Sequence, residues 1–168
     1  MKKILFLACA VFSFKALAME APTVIGEYHD WSAYTFKEGK NIVCYMASTP
    51  KRDEGNYTRR GDIYAVITHR PAEKSFDVVN FVLGYTLKPN APFTVKIGKE
   101  TFTKFFSEGD KSWTINDDED ARLVKAMVRG ERMIVEATSN RGTKTKDTYS
   151  LKGFARAYQA INAKCGKK

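Results

Sequence analysis

Thr148-Tyr-Ser-Leu-Lys-Gly-Phe-Ala-Arg-Ala-Tyr-Gln-Ala-Ile-Asn-Ala-Lys-Cys165 is a short strand running directly into the one clean amphipathic helix of the chain, residues 153–165. Phe154, Ala157, Tyr158, Ile161 and Cys165 recur at the spacing that gathers side chains on one helical face, while Lys152, Arg156, Gln159 and Lys164 fall mostly elsewhere. A helix cannot bury such a stripe alone, so it must lie on strands made earlier in the chain. Cys165, at the far end of the stripe, then lands beside one of those strands, and Cys44 is the candidate to meet it.

Working outward, the rest of the chain is mostly β. Trp31–Phe36 and Ile42–Ala47 alternate as hairpin partners around a turn at Lys37–Asn41. Ser48–Arg60, with Pro50, Gly55 and a run of charges, reads as a long surface loop. Asp62–Thr68 and Asp77–Tyr85 resume β structure; Phe93–Ile97 and Thr101–Phe106 form a hairpin around Gly98-Lys99, and Ser112–Ile115 is a short strand. Asn116-Asp-Asp-Glu-Asp120 opens a short helix near 117–129 that Gly130 closes. Acids there favour the free N–H groups of a helix start over a calcium loop, because the spacing lacks the regular loop glycine and distant glutamate. Glu131–Ser139 is a further strand, and Asn140–Asp147 a second basic loop. The fold class is therefore mainly β, a β-sandwich or half-open antiparallel barrel with two helices.

Residues 1–18 have a basic start, an apolar run from Ile4 to Phe14 and small residues at Ala16 and Ala18: a secretory leader cleaved before Met19 and too short to span a bilayer, with lipidation at Cys9 as the alternative. Residues 19–168 then form a single β-rich domain, and the expected location is periplasmic or secreted, in the bacterial cell envelope. Export leaves Cys44 and Cys165 as the only thiols, enough for one intramolecular bridge; a reactive thiol or an intermolecular link are the competing readings.

The formal charge of +9 falls to about +6 without the leader. The cations lie among acids, apart from Lys51, Arg52, Arg59 and Arg60, and Arg141, Lys144 and Lys146. No continuous basic stripe with exposed aromatics exists, which argues against nucleic acid and for loops that contact anionic envelope or host-surface components. No metal, cofactor, phosphate-loop or nucleophile-elbow motif occurs, so no catalytic residue and no cofactor is expected. The alternative is a small-ligand-binding or hydrolytic β-sandwich that gathers Tyr28, His29, Asp30 and His69 at one pocket.

His29-Asp-Trp31 before a cysteine-bearing hairpin, Gly84-Tyr85, Gly109-Asp110 with Trp113, Leu123–Met127, and Ser139–Leu151 followed by Gly153-Phe154 and Cys165 carry a likeness across nearly the whole chain beyond the leader. The chain resembles the invasion-associated locus B family, exported proteins of alphaproteobacteria, most specifically in Arg141-Gly-Thr143 and Asp147-Thr-Tyr-Ser-Leu151 with Gly153-Phe154. The resemblance implies an envelope location, a sandwich-like domain and, for some members, a part in host-cell invasion or colonisation. It brings no catalytic residues, and His29 stands where the family usually has glycine before Asp-Trp.

Overall fold

A computed structural model describes residues 21–167, so the leader read from residues 1–18 lies outside the described residues. Twelve strands build two antiparallel sheets. The first contains β1 (Thr23–Tyr28), β2 (Trp31–Glu38), β3 (Asn41–Ser48), β5 (Tyr64–Arg70), β6 (Ser75–Val82), β9 (Phe105–Glu108) and β10 (Lys111–Thr114), in the order β1-β2-β3-β5-β6-β10-β9. The second contains β4 (Arg52–Gly55), β7 (Thr94–Ile97), β8 (Glu100–Phe102), β11 (Arg132–Thr138) and β12 (Lys144–Ser150), in the order β4-β12-β11-β7-β8. Helix α1 (Asp117–Arg129) packs on β6 and β10, and α2 (Phe154–Cys165) lies across β1, β2, β3 and β5. The molecule is an open, mainly β sandwich with two helices, as the strand pattern implies.

The period-2 alternation of the strands sends one set of side chains into a single core between the sheets. Trp31, Ala33, Cys44, Met46, Ile67 and Phe81 point inward from the first sheet. Val95, Met133, Val135 and Tyr149 answer from the second. The sheets meet where Phe81 lies 5.6 Å from Phe93, and where the Trp31 indole Nε1 donates to the Ser150 carbonyl at 3.0 Å.

Helix α2 buries Phe154, Ala157, Ile161 and Cys165, with the Phe154 ring edge-on to Trp31 at 4.9 Å. Burying the Phe154 and Ile161 side chains contributes about 1.5–3 kcal/mol each. A disulfide joins Cys44 to Cys165 and fixes the last turn of α2 to β3. The start of the helix is held just as closely. Gly153 has φ +93°, and a Cβ there would stand 1.7 Å from the Tyr28 carbonyl oxygen, so only glycine lets the β1–β2 turn close on the helix.

Helix α1 begins as the acidic run implies: the Asn116 side chain accepts from the Glu119 N–H at 2.9 Å. Among the described residues no helix is long and apolar enough to cross a membrane, and no three His, Cys, Asp or Glu side chains cluster as metal ligands would.

Four segments differ from the sequence reading. Residues 23–28 form a strand that the reading omitted. Within Ser48–Arg60, expected to be all loop, Arg52–Gly55 pairs with β12 as an edge strand; each of its residues is exposed, so it carries no apolar signal. Thr101–Phe106 is not one strand: Thr103 and Lys104 carry the chain from the second sheet to the first. The second basic loop ends at Thr143, and Lys144–Asp147 belong to β12, whose inward positions are the polar Thr145 and Asp147.

Candidate functional site

The seven cations singled out in the sequence divide sharply. Arg60 is not a surface residue. Its guanidinium, 3% exposed, donates through Nη1 and Nη2 to the two carboxylate oxygens of the fully buried Asp147, each at 2.6 Å. Nε donates to the Leu83 carbonyl at 2.7 Å, and the group lies over the rings of Tyr57 and Tyr85. Burial pushes the Asp147 carboxyl above its usual range, and the Arg60 hydrogen bonds oppose that rise. Arg60 is therefore withdrawn from the expected anion contacts, because its charge is spent between the sheets. Lys51 pairs with Asp30, holding that carboxyl below its usual range, and Lys146 lies 3.7 Å from Glu54. Arg52, Arg59, Arg141 and Lys144 are exposed and make no ion pair among the described residues.

The histidines do not meet. His29 sits in the β1–β2 turn against Gly153, at the start of α2, whereas His69 touches Asn162 in its last turns. Nine residues of helix separate those positions, about 14 Å at the α-helical rise. His69 is fully buried: Nδ1 accepts from the Asp77 N–H at 3.1 Å, which leaves the proton on Nε2, 2.7 Å from Asn162 Oδ1. Burial lowers its pKa, so the ring is neutral near pH 7. Neither histidine lines any of the three largest clefts described for the molecule.

The largest of the described clefts, about 950 Å³, lies between the end of α1, the β7–β8 turn and the outer side of β11 and β12. Lys51, Lys96, Lys99, Arg129 and Arg132 line it, against the carboxylates of Glu100 and Glu131. Lys96 is paired with Glu136 at 2.6 Å, outside the cleft lining, but Lys99, Arg129 and Arg132 have no carboxylate at ion-pair distance among the described residues. Ile134, Ile97 and Ala126 supply an apolar floor. Gly130 makes the geometry: a Cβ there would come within 2.6 Å of Ile97 and 2.8 Å of Leu151, so a larger residue would push the helix end and Arg129 away from the sheet. A second cleft of about 630 Å³ holds Lys144 and Lys146 against Glu54 and Glu136, which leaves it without net charge.

The cleft's cations escaped the sequence reading, Lys51 excepted. Lys96 and Lys99 come from a hairpin, Arg129 from a helix end and Arg132 from a strand start, so no local run announces them.

These features define a disulfide-bridged β-sandwich with a cationic cleft on its five-stranded sheet. The family model described as Invasion associated locus B (IalB) protein matches residues 31–162, and the chain belongs to that family. Comparison with curated proteins and with solved structures gives no significant match.

Proposed function

We propose that the protein is an exported, non-enzymatic envelope and interaction protein that holds anionic envelope or host-surface components in the cationic cleft, and by that contributes to host-cell invasion or colonisation. Export is supported by the basic, apolar and small-residue pattern of residues 1–18, together with a disulfide, the state thiols adopt in an oxidising compartment. The observation that carries the binding reading is the convergence of Lys99, Arg129 and Arg132, without acid partners among the described residues, on one open cleft. Cations that have no internal partner retain their field for a ligand, whereas Arg60, Lys51 and Lys146 have largely spent theirs. Sequestration of His69 in the core, away from every described large cleft, supports binding over hydrolysis.

Sedimentation with phosphatidylglycerol vesicles tests the reading. Binding is expected at low salt, to fade as the Debye length shrinks to about 8 Å at physiological ionic strength. It should fall at least about tenfold when Lys99, Arg129 and Arg132 are together replaced by serine, since each surface cation near an anionic membrane is worth about 1 kcal/mol. Binding that ignores both salt and the triple replacement refutes the assignment.

A further inference from the structure

The cationic cleft does not stop at the tip of α1. A smaller cleft of about 260 Å³ adjoins it, and Glu100, Ala126 and Arg129 line both. Arg122 and Lys125 line only the smaller one, and with Arg129 they stand at i, i+3 and i+7 on the exposed side of the helix. The two clefts therefore form one track. Crossing the second sheet from Lys51, whose N–H donates to the Thr148 carbonyl at 2.8 Å, over β12 and β11 to β7 takes three inter-strand steps, about 14 Å. Arg122 to Arg129 adds about 10 Å along the helix. Along this track Lys99, Lys125, Arg129 and Arg132 have no carboxylate at ion-pair distance among the described residues, and two carboxylates, Glu100 and Glu131, lie in the same lining. Lys51, Lys96 and Arg122 are paired with Asp30, Glu136 and Glu119. Beyond Arg122 comes the acidic first turn of α1, Asp117 to Asp120, which repels an anion and closes the track at that end.

We infer that the ligand of this track is an extended acidic polysaccharide, a chain that carries sulfate or carboxylate groups along its length and lies across the cleft and along α1. The inference rests on the binding reading above and names the ligand class of that site. A single phosphate or carboxylate meets only part of so long a row of cations, and a flat bilayer meets a concave track only at its rims. Ile97 and Ala126 are 4% and 6% exposed, so the floor opens no hollow for an acyl chain or an apolar peptide anchor. Tyr149, the one aromatic side chain in the lining, is 1% exposed, which leaves no platform on which nucleic-acid bases could stack. Besides charge the track offers hydroxyls. Thr148 and Ser150 alternate with the inward Tyr149 and line the cleft between Lys51 and Arg132, where sugar hydroxyls can pair with them.

Titration calorimetry of the chain, with its disulfide intact, against a heparin-derived decasaccharide and disaccharide tests the inference. The decasaccharide should bind at least about tenfold more tightly per disaccharide unit, because each further contact along one chain is intramolecular. Lys125→Glu removes one cation and pairs with Arg129 four residues on, so it should weaken the decasaccharide at least about tenfold with an unchanged thermal transition. Lys40→Glu makes the same change in net charge in the β2–β3 turn of the other sheet, at an exposed lysine that lines none of the described clefts, and should leave binding within about twofold of wild type. Lys99→Ser, in an exposed turn, carries the test should the helix variant fail to fold. A decasaccharide held no tighter than the disaccharide overturns the inference, and so does an equal loss in Lys40→Glu, which would reduce the binding to net charge. A poly-glutamate peptide of matched charge bound as tightly also overturns it and would make the partner an acidic protein segment. In each of these cases vesicle binding that still depends on Lys99, Arg129 and Arg132 leaves the cleft as a binding site, whereas loss of vesicle and oligosaccharide binding together removes both readings.

Discussion

Replacing Asp147 with leucine would leave the Arg60 guanidinium buried without its counter-charge. The side chains are 3% and 0% exposed, and the two hydrogen bonds between them are both 2.6 Å, so solvent cannot take over when the carboxylate is removed. Breaking a buried pair from one side costs about 3–5 kcal/mol. The Leu83 carbonyl and the Tyr57 and Tyr85 rings still hold Arg60, which places the expected loss near the lower end, about 3 kcal/mol. Adding Arg60→Met removes the stranded charge and fills the same space, so the double variant should recover to within about 1 kcal/mol of wild type, as apolar replacements of buried pairs do. Urea unfolding with the disulfide intact, followed by the fluorescence of buried Trp31, measures all four corners of the cycle. A loss below about 1 kcal/mol for Asp147→Leu, or a double variant no more stable than the two single losses added together, would show that the ion pair is not the buried unit described.

Cys44→Ser or Cys165→Ser should lower stability by about 2–4 kcal/mol and raise hydrogen exchange first in the last turn of α2, whereas titration of the unreduced, denatured wild type should find neither thiol free. Asp120, buried beside Val79 and Thr114, has its pKa pushed up by burial to about 6 from 3.8. The native state therefore binds the proton more tightly than the unfolded chain, and this group's contribution to stability declines as pH rises from about 4 to about 6, by up to about 3 kcal/mol. His69 works in the opposite sense, since its lowered pKa makes the native state lose stability as pH falls below about 6.5. Asp120→Asn keeps the oxygen that accepts from Val79 and should flatten only the first effect, so matched melting curves at pH 4.5 and 7 separate the two. Identical pH profiles for variant and wild type would contradict the assignment.

The elements legible in the sequence are those whose burial repeats along the chain. Phe154, Ala157, Ile161 and Cys165 mark α2 because all four face the core, and Trp31 and Ala33 alternate with Ser32 and Tyr34 for the same reason. Residues 52–55 are strand without burial: their ladder bonds come from β12, and a partner's backbone leaves no trace in their own composition. The Arg60–Asp147 pair spans 87 residues, so Arg60 next to Arg59 looked like half of a surface patch. The cationic cleft was hidden in the same way, assembled from three separate elements where the end of α1 closes on Ile97 and Leu151 at Gly130. Periodicity reports which face of an element is inside; it is silent on which distant charge that face will meet.

The disulfide joins residues 121 positions apart, and this sets an order of events during synthesis. At about 5–20 residues per second, roughly 6–24 s separate the appearance of Cys44 from that of Cys165. For that interval the β2–β3 hairpin can form, but the helix that covers its inner side does not yet exist, and Trp31, Cys44 and Met46 face solvent or a chaperone. The bridge closes only after both sheets and α1 have been made. It acts as a terminal latch, and a free thiol at Cys44 is the chemical mark of a chain whose last helix has not docked.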